Sequence, residues 1–264
     1  TWNTPTTFTH NAGKVQFDRG GGNTTTLGNA STQFHYVTVV ANTILDTSAA
    51  SSYALTLVRQ MLVSGTLKCN ASTLDLGSGS DIAQWMLVVD STGTFTGGTG
   101  THTIGCIWLN GGSVTLSSGA TTINGRYAGG WNHCMDFNAP STFSHGSGSI
   151  SFTFAGQQNL RDTNNTARTF NNVAVDKSAG NTLQFIQDRG FNITVAGTLT
   201  ITSGTLFMSD LTSNVSRNLT VTGTSSITGT CTPGATSTMT FNDAITVNAG
   251  GTLGGNSAYI LDLN

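Results

Sequence analysis

Hydrophobic and hydroxyl-bearing residues alternate along much of this chain. In Asn192-Ile-Thr-Val-Ala-Gly-Thr-Leu-Thr-Ile-Thr-Ser-Gly-Thr-Leu206, apolar side chains occupy every second position and Gly marks each place where the backbone must turn. The same pattern returns in Asn218-Leu-Thr-Val-Thr-Gly223, Ala244-Ile-Thr-Val-Asn248, Leu55-Thr-Leu-Val58 and Gly112-Ser-Val-Thr-Leu116. A period of two over four to six residues predicts short strands with one buried face. Ile193, Leu219 and Ile245 open three of these strands, at spacings of 219 − 193 = 26 and 245 − 219 = 26. A regular coil with Gly and Asn at its corners predicts an all-β protein, a parallel β-helix or β-solenoid. At about 24–26 residues per coil the chain would make on the order of ten coils and a rod of roughly 50 Å. The segments 40–54 and 76–92 break the pattern and are assigned to no coil.

A longer repeat overlies the short one. Asn3, Pro5, Thr7, Phe8, His10, Gly13 and Phe17 recur as Asn138, Pro140, Thr142, Phe143, His145, Gly148 and Phe152. FHYVTV at 34–39 answers FNNVAV at 170–175, VSGTL at 63–67 answers TSGTL at 202–206, and WLNGG at 108–112 answers TVNAG at 246–250. These ordered matches predict two tandem copies of about 135 residues. Residues 1–125 form the first solenoid copy, 126–137 a connecting segment and 138–264 the second copy, unless the whole is one continuous solenoid.

Composition supports strands and excludes several partners. Charged residues make up only 8% of the chain, no Glu occurs, and Gly contributes 33 of the 264 residues. The surface residues that favour helices are therefore scarce, whereas Thr suits a pleated surface. Ten basic residues against twelve acidic ones cannot build a phosphate-binding stripe, so no nucleic-acid partner is expected. No apolar run approaches the roughly 20 residues of a membrane-spanning helix. Hydroxyl and amide groups provide solubility here, which suits an extracellular location at a cell or virion surface.

Phrases such as FTHNAGKVQF, FNNVAV and ITVAGTLTITSGTL resemble the Thr/Ser/Asn/Gly-rich parallel β-helix repeats of bacterial surface adhesins and phage tail-fibre proteins. The resemblance covers most of 3–67 and 138–253. It implies stalks, fibres and adhesive surfaces, and it bears on fold and location more than on activity.

Candidate chemistry is sparse. No two of the twelve Asp residues lie closer than six positions apart, so no carboxylate pair for glycoside cleavage is visible, and no catalytic residue is assigned. His10 and His145 occupy duplicate positions and read as corner residues. His133 sits beside Cys134 without metal-ligand spacing, so no metal or cofactor is expected. Cys69, Cys106, Cys134 and Cys231 allow three full pairings. Cys106 and Cys134, at 134 − 106 = 28, are about one coil apart and are the favoured bridge, against four buried thiols. N-x-S/T sequons at Asn23, Asn29, Asn70, Asn164, Asn192, Asn214 and Asn218 are candidate glycosylation sites.

The repeat also suggests self-association. The second copy stops where the counterpart of 126 would begin, since 264 − 138 = 126. Docking of a second molecule's first coil on the last coil would be heterologous and would build a filament. Trp2, Asn3, Pro5, Tyr127, Trp131, Tyr259 and Leu261 are the self-assembly candidates. The expected role is a non-enzymatic structural subunit of an extracellular fibre or filament, a homo-oligomer of this chain. The alternatives are a carbohydrate-binding adhesin or phage receptor-binding fibre, with Trp85, Trp108 and Trp131 stacking on surface glycans, and a polysaccharide-cleaving β-helix enzyme.

Overall fold

The computed structural model describes residues 11–28, 31–47, 54–77, 81–82, 84–129, 132–186, 191–208, 217–234, 236–254 and 259–264. These residues form a parallel β-solenoid of about nine turns, with no helix among them. Each full coil visits three faces in the same order. Tyr36–Val39 lies on the first face, Thr43–Asp46 on the second and Ala54–Leu57 on the third, and Met61–Val63 returns to the first, one rung higher. The first face is a 13-stranded sheet and the third a 10-stranded sheet; the second is divided into sheets of six and five strands. Thr/Ser/Asn-rich strands run through all of them.

The alternation works as the sequence predicts. On the first face Val37, Met61, Leu87, Ile107, Met135 and Leu160 stack in register, all buried. Burying each such side chain fully contributes about 1.5–3 kcal/mol, so this column and its neighbours hold the rod together. Outward positions carry short polar groups. Gln33, Thr56, Asp75, Thr103, Thr122, Ser151, Ala174, Thr200, Ser226 and Thr246 form one file along the third face. Thr182, Thr205, Thr230 and Thr252 form another on the first. With rungs only about 4.8 Å apart, like charges in such a file would repel, which accounts for the scarcity of Lys and the absence of Glu.

Coil length varies more than the sequence suggests. Leu87 stacks beneath Ile107 (107 − 87 = 20), and Ile107 beneath Met135 (135 − 107 = 28). The predicted spacing of 26 holds for Ile193 beneath Leu219, but on the next rung of that face Leu219 pairs with Met239 (239 − 219 = 20). Ile245 lies on the third face, paired with Ser225. Loops absorb the difference while the inward columns keep their phase.

The duplicated phrases do not occupy equivalent places. Strand Tyr36–Val39 is on the first face but its match Asn172–Asp176 is on the third; Ile107–Asn110 is on the first and Ile245–Val247 on the third. Each match is displaced by one face, so the spatial repeat is the strand and its corner. The stack is also continuous across the expected connecting segment. Residues 133–137 belong to His133–Asn138, an internal strand of the 13-stranded sheet, paired to rungs on both sides.

Corners depend on residues that tolerate left-handed backbone. Gly98 has φ +68°, and a Cβ there would sit 1.9 Å from the Asn70 carbonyl oxygen; Gly146, at φ +64°, would meet the Leu116 carbonyl at the same distance. Asn side chains provide the other corner device. Asn218 N donates to Asn192 Oδ1 at 3.2 Å, and Thr238 N donates to Asn218 Oδ1 at 2.9 Å. Along the first face, Asp90, Asn110, Asn138 and Thr163 are linked side chain to side chain at 3.1–3.2 Å.

The second face divides between Thr142–Ser144 and Arg168–Phe170. Asp162 stacks on Phe137, in what is otherwise an apolar column, and is fully buried. Its carboxylate accepts from Arg168 Nε at 2.6 Å, and the guanidinium lies 4.4 Å from the centre of the Phe137 ring.

Candidate functional site

Two regions gather side chains that the solenoid alone does not require. The first is a pair of excursions between the third and first faces, described at 81–82 and 84–86 and at 124–129 and 132. Asp81–Ile82 pairs with Arg126–Tyr127, and Tyr127 pairs antiparallel with His133. These departures explain why 76–92 resisted assignment from sequence: its first part leaves the coil. The excursions carry Trp85 and Tyr127 onto the outside of the first face, where Trp108 and His133 already stand. Trp85 packs nearly parallel to Tyr127 (5.0 Å, 19°), Trp108 (6.0 Å, 29°) and His133 (6.1 Å, 26°).

Charged groups border the rings. Asp136 pairs in register with Trp108 on one side and Arg161 on the other. Its Oδ2 lies 3.4 Å from Arg161 Nη1 and 3.7 Å from His133 Nδ1, while Oδ1 is buried without a hydrogen-bond partner among the described residues. Burial pushes the Asp136 carboxyl up to about 6 despite Arg161. Burial and the Arg161 charge push His133 down to about 4. At neutral pH the site therefore holds a neutral imidazole and a strained carboxylate.

The structure thus unites Trp85 and Trp108, two of the glycan-stacking candidates, and adds Tyr127 and His133; Trp131 lies outside the described residues. Trp85 is only 8% exposed, however, and its ring faces are occupied by other side chains. Trp108 and Tyr127 are half-buried, and the Trp108 indole Nε1 is sealed from solvent. Their geometry is that of a small outer core fastening the excursions to the sheet. Tyr127, expected at an assembly surface, lies within this core, beside an internal rung.

The second region is the last coil. Ile245–Val247, Thr252–Leu253 and Ile260–Leu263 are the outermost strands of the third, first and second faces, each with one edge unpaired among the described residues. Ile260 is 60% exposed, Leu263 59%, Val247 45% and Leu261 38%. Almost every other large apolar side chain described is covered. Tyr259 is half-buried beside this strand. Leu261 and Tyr259, two of the self-assembly candidates, lie on this last strand and beside it; Trp2, Asn3 and Pro5 lie outside the described residues. The exposure of Ile260, Leu263 and Val247 was not foreseen, because alternation alone gives their strands a buried side.

The remaining candidates fall in ordinary surroundings. All four cysteines are buried free thiols, and Cys106 and Cys134 are on consecutive rungs, as their spacing predicts. His102 is fully buried, its Nδ1 accepting from Leu74 N at 3.2 Å and its Nε2 lying 2.7 Å from the Gly97 carbonyl oxygen. His145 Nδ1 accepts from Ser147 N at 2.9 Å, a corner role. Among sequon residues, Asn70 donates to Asp46 Oδ1 at 2.6 Å, and Asn192 and Asn218 belong to the corner ladder. Asn23 and Asn164 are exposed, each donating to a backbone carbonyl, of Gly20 and Ala139 respectively. Asn29 and Asn214 lie outside the described residues. Asp136 and Asp162 sit on adjacent rungs but point to opposite faces of the sheet, the first toward Arg161 and the second toward Arg168. No group of three or more His, Cys or Asp residues with metal-binding geometry occurs among the described residues. No helix there is long and apolar enough to cross a membrane.

Comparison with protein-family models, with curated proteins and with solved structures finds no match to this chain.

Proposed function

We propose that this chain is a structural subunit of an extracellular fibre or filament, built by stacking one copy's first coil on another copy's last. The observation that supports this reading is the continuous parallel ladder itself, Thr/Ser/Asn-rich outside and stacked over a buried apolar column, with Ile260, Leu263 and Val247 exposed on its last described rung. An unpaired edge with apolar side chains is a template for another strand. The solenoid's ladders would then run through the junction, and the role is mechanical.

The test compares the chain with an Ile260→Lys/Leu263→Lys variant by sedimentation velocity and negative-stain imaging over a range of concentrations. End-to-end rods that lengthen with concentration are expected for the parent and single rods for the variant. A parent that stays monomeric at high concentration, or a variant that assembles equally well, refutes the reading.

A further inference from the structure

Four cysteines allow several bridges on paper, but the register of the rungs leaves one. Ile107 pairs with Met135 and Trp108 with Asp136, so Cys106 and Cys134 stand on consecutive rungs, each one position before this ladder. Cys134 lies at the irregularity between His133 and Met135 with its Sγ 3.4 Å from the Asn159 carbonyl oxygen, and Cys106 Sγ lies 3.8 Å from that of Gln84. Neighbouring rungs are about 4.8 Å apart, inside the roughly 4.4–6.8 Å between Cα atoms that a disulfide spans. Both side chains are fully buried in the same core cluster. The other two cysteines have no such neighbour. Cys69 follows strand Thr66–Lys68 on the second face, and its amide donates to Thr96 on the next rung. Cys231 lies on the first face, several coils away, between Leu206 and Leu253 in its column, with its sulfur 3.8 Å from Met239.

We infer that Cys106 and Cys134 are a redox site, joined by a disulfide when the chain folds in the presence of a small-molecule disulfide. The balance is simple. One cysteine, as thiolate, attacks the disulfide RSSR, forming a mixed disulfide and releasing the first RS⁻; the second cysteine then displaces the other. Two Cys S–H bonds are lost, one S–S bond forms, and RSSR is reduced to two RSH. The bridge would close the loop between 106 and 134, which carries Trp108, Tyr127 and the whole of the second excursion. It would therefore staple the outer aromatic core to the rod at its base.

Burial sets the timing. It raises both thiols to about 12, so the folded protein holds almost no thiolate at either position, and solvent reaches neither sulfur. Exchange proceeds through thiolates, so the bond must form before the coils close or through rare opening. Once formed, it is shielded from reductants by the same burial. This inference is independent of the filament reading.

The test refolds the denatured full chain either in a mixture of reduced and oxidised glutathione or in excess reductant. Unreacted thiols are then alkylated in denaturant and the disulfide-linked peptides identified by mass spectrometry, with circular dichroism confirming the β-rich state. The glutathione sample is expected to yield two alkylated cysteines, Cys69 and Cys231, and a linked Cys106–Cys134 peptide pair. The reduced sample should yield four alkylated cysteines and, after transfer as folded protein into the same glutathione mixture, should oxidise at least tenfold more slowly than the refolding chain. A Cys69→Ser/Cys231→Ser variant should still form the link. Four alkylated cysteines from β-rich protein refolded in glutathione, or a link that involves Cys69 or Cys231, overturns the inference.

Discussion

Asp136→Asn offers the sharpest test of how the outer core is held. Asp136 is 3% exposed, and burial raises its carboxyl from 3.8 to about 6. A raised carboxyl binds its proton more tightly in the folded chain than in the unfolded one. The resulting stability is fully present below about pH 4 and is lost as pH rises through 6. A difference of about 2 pH units corresponds to about 3 kcal/mol. Asn cannot ionise, so the stability of the variant minus that of the parent should rise by about 3 kcal/mol between pH 4 and pH 7. Any fixed effect of the amide on packing is the same at both pH values and cancels. Urea unfolding followed by circular dichroism at several pH values supplies the measurement, with free energies from linear extrapolation. If the difference is independent of pH, or falls as pH rises, the carboxylate is not strained by burial and the account of this site is wrong.

Other substitutions probe neighbouring arguments. His133, held at about 4 rather than 6.5, gives stability that is present above pH 6.5 and lost as pH falls through 4. His133→Gln should therefore remove about 3 kcal/mol of acid sensitivity, opposite in sign to the Asp136 effect, as read in the same titration. Lys177 is fully buried, donating to the Phe154 carbonyl and to Gln158 Oε1, both at 2.8 Å. Gln158→Leu should destabilise by about 2–3 kcal/mol at pH 7 in urea melts, because the ammonium loses a partner. Burial lowers Lys177 to about 8, so that loss should shrink toward pH 9 as the amine becomes neutral. Gly98→Ala adds a methyl against the Asn70 carbonyl at positive φ and should cost at least about 2 kcal/mol, seen as a lower thermal midpoint. Arg168→Ala leaves the fully buried Asp162 carboxyl without its ion-pair partner, and about 3–5 kcal/mol should be lost at pH 7.

Much of the solenoid is legible in the chain because its determinants are local. Ile193-Thr194-Val195 reads as inward, outward, inward before any partner strand is known, and the rung built on Leu219 confirms it. What alternation does not encode is which face a strand occupies. Ile193 and Ile245 carry the same pattern yet lie on different faces, since corners of different length separate them. The matched phrases lie one face apart for the same reason: Tyr36–Val39 and Asn172–Asp176 share a pattern that carries no mark of the face each occupies. The outer core was legible only as a collection of aromatic residues. Trp85 and Trp108 look like an exposed platform in sequence, and only the paired excursions reveal that they cover each other. Asp136 and Arg161 lie far apart in the chain and meet through a register that depends on every intervening corner.

The uneven lengths of the coils bear on how such a rod could change. A segment inserted where the third face gives way to the first leaves the stacked side chains beneath it in phase, as the stretches around Trp85 and Tyr127 already do. Surface decoration and the packing of the rod are therefore separable, and a new appendage can be trialled on one turn while the others carry on unaltered.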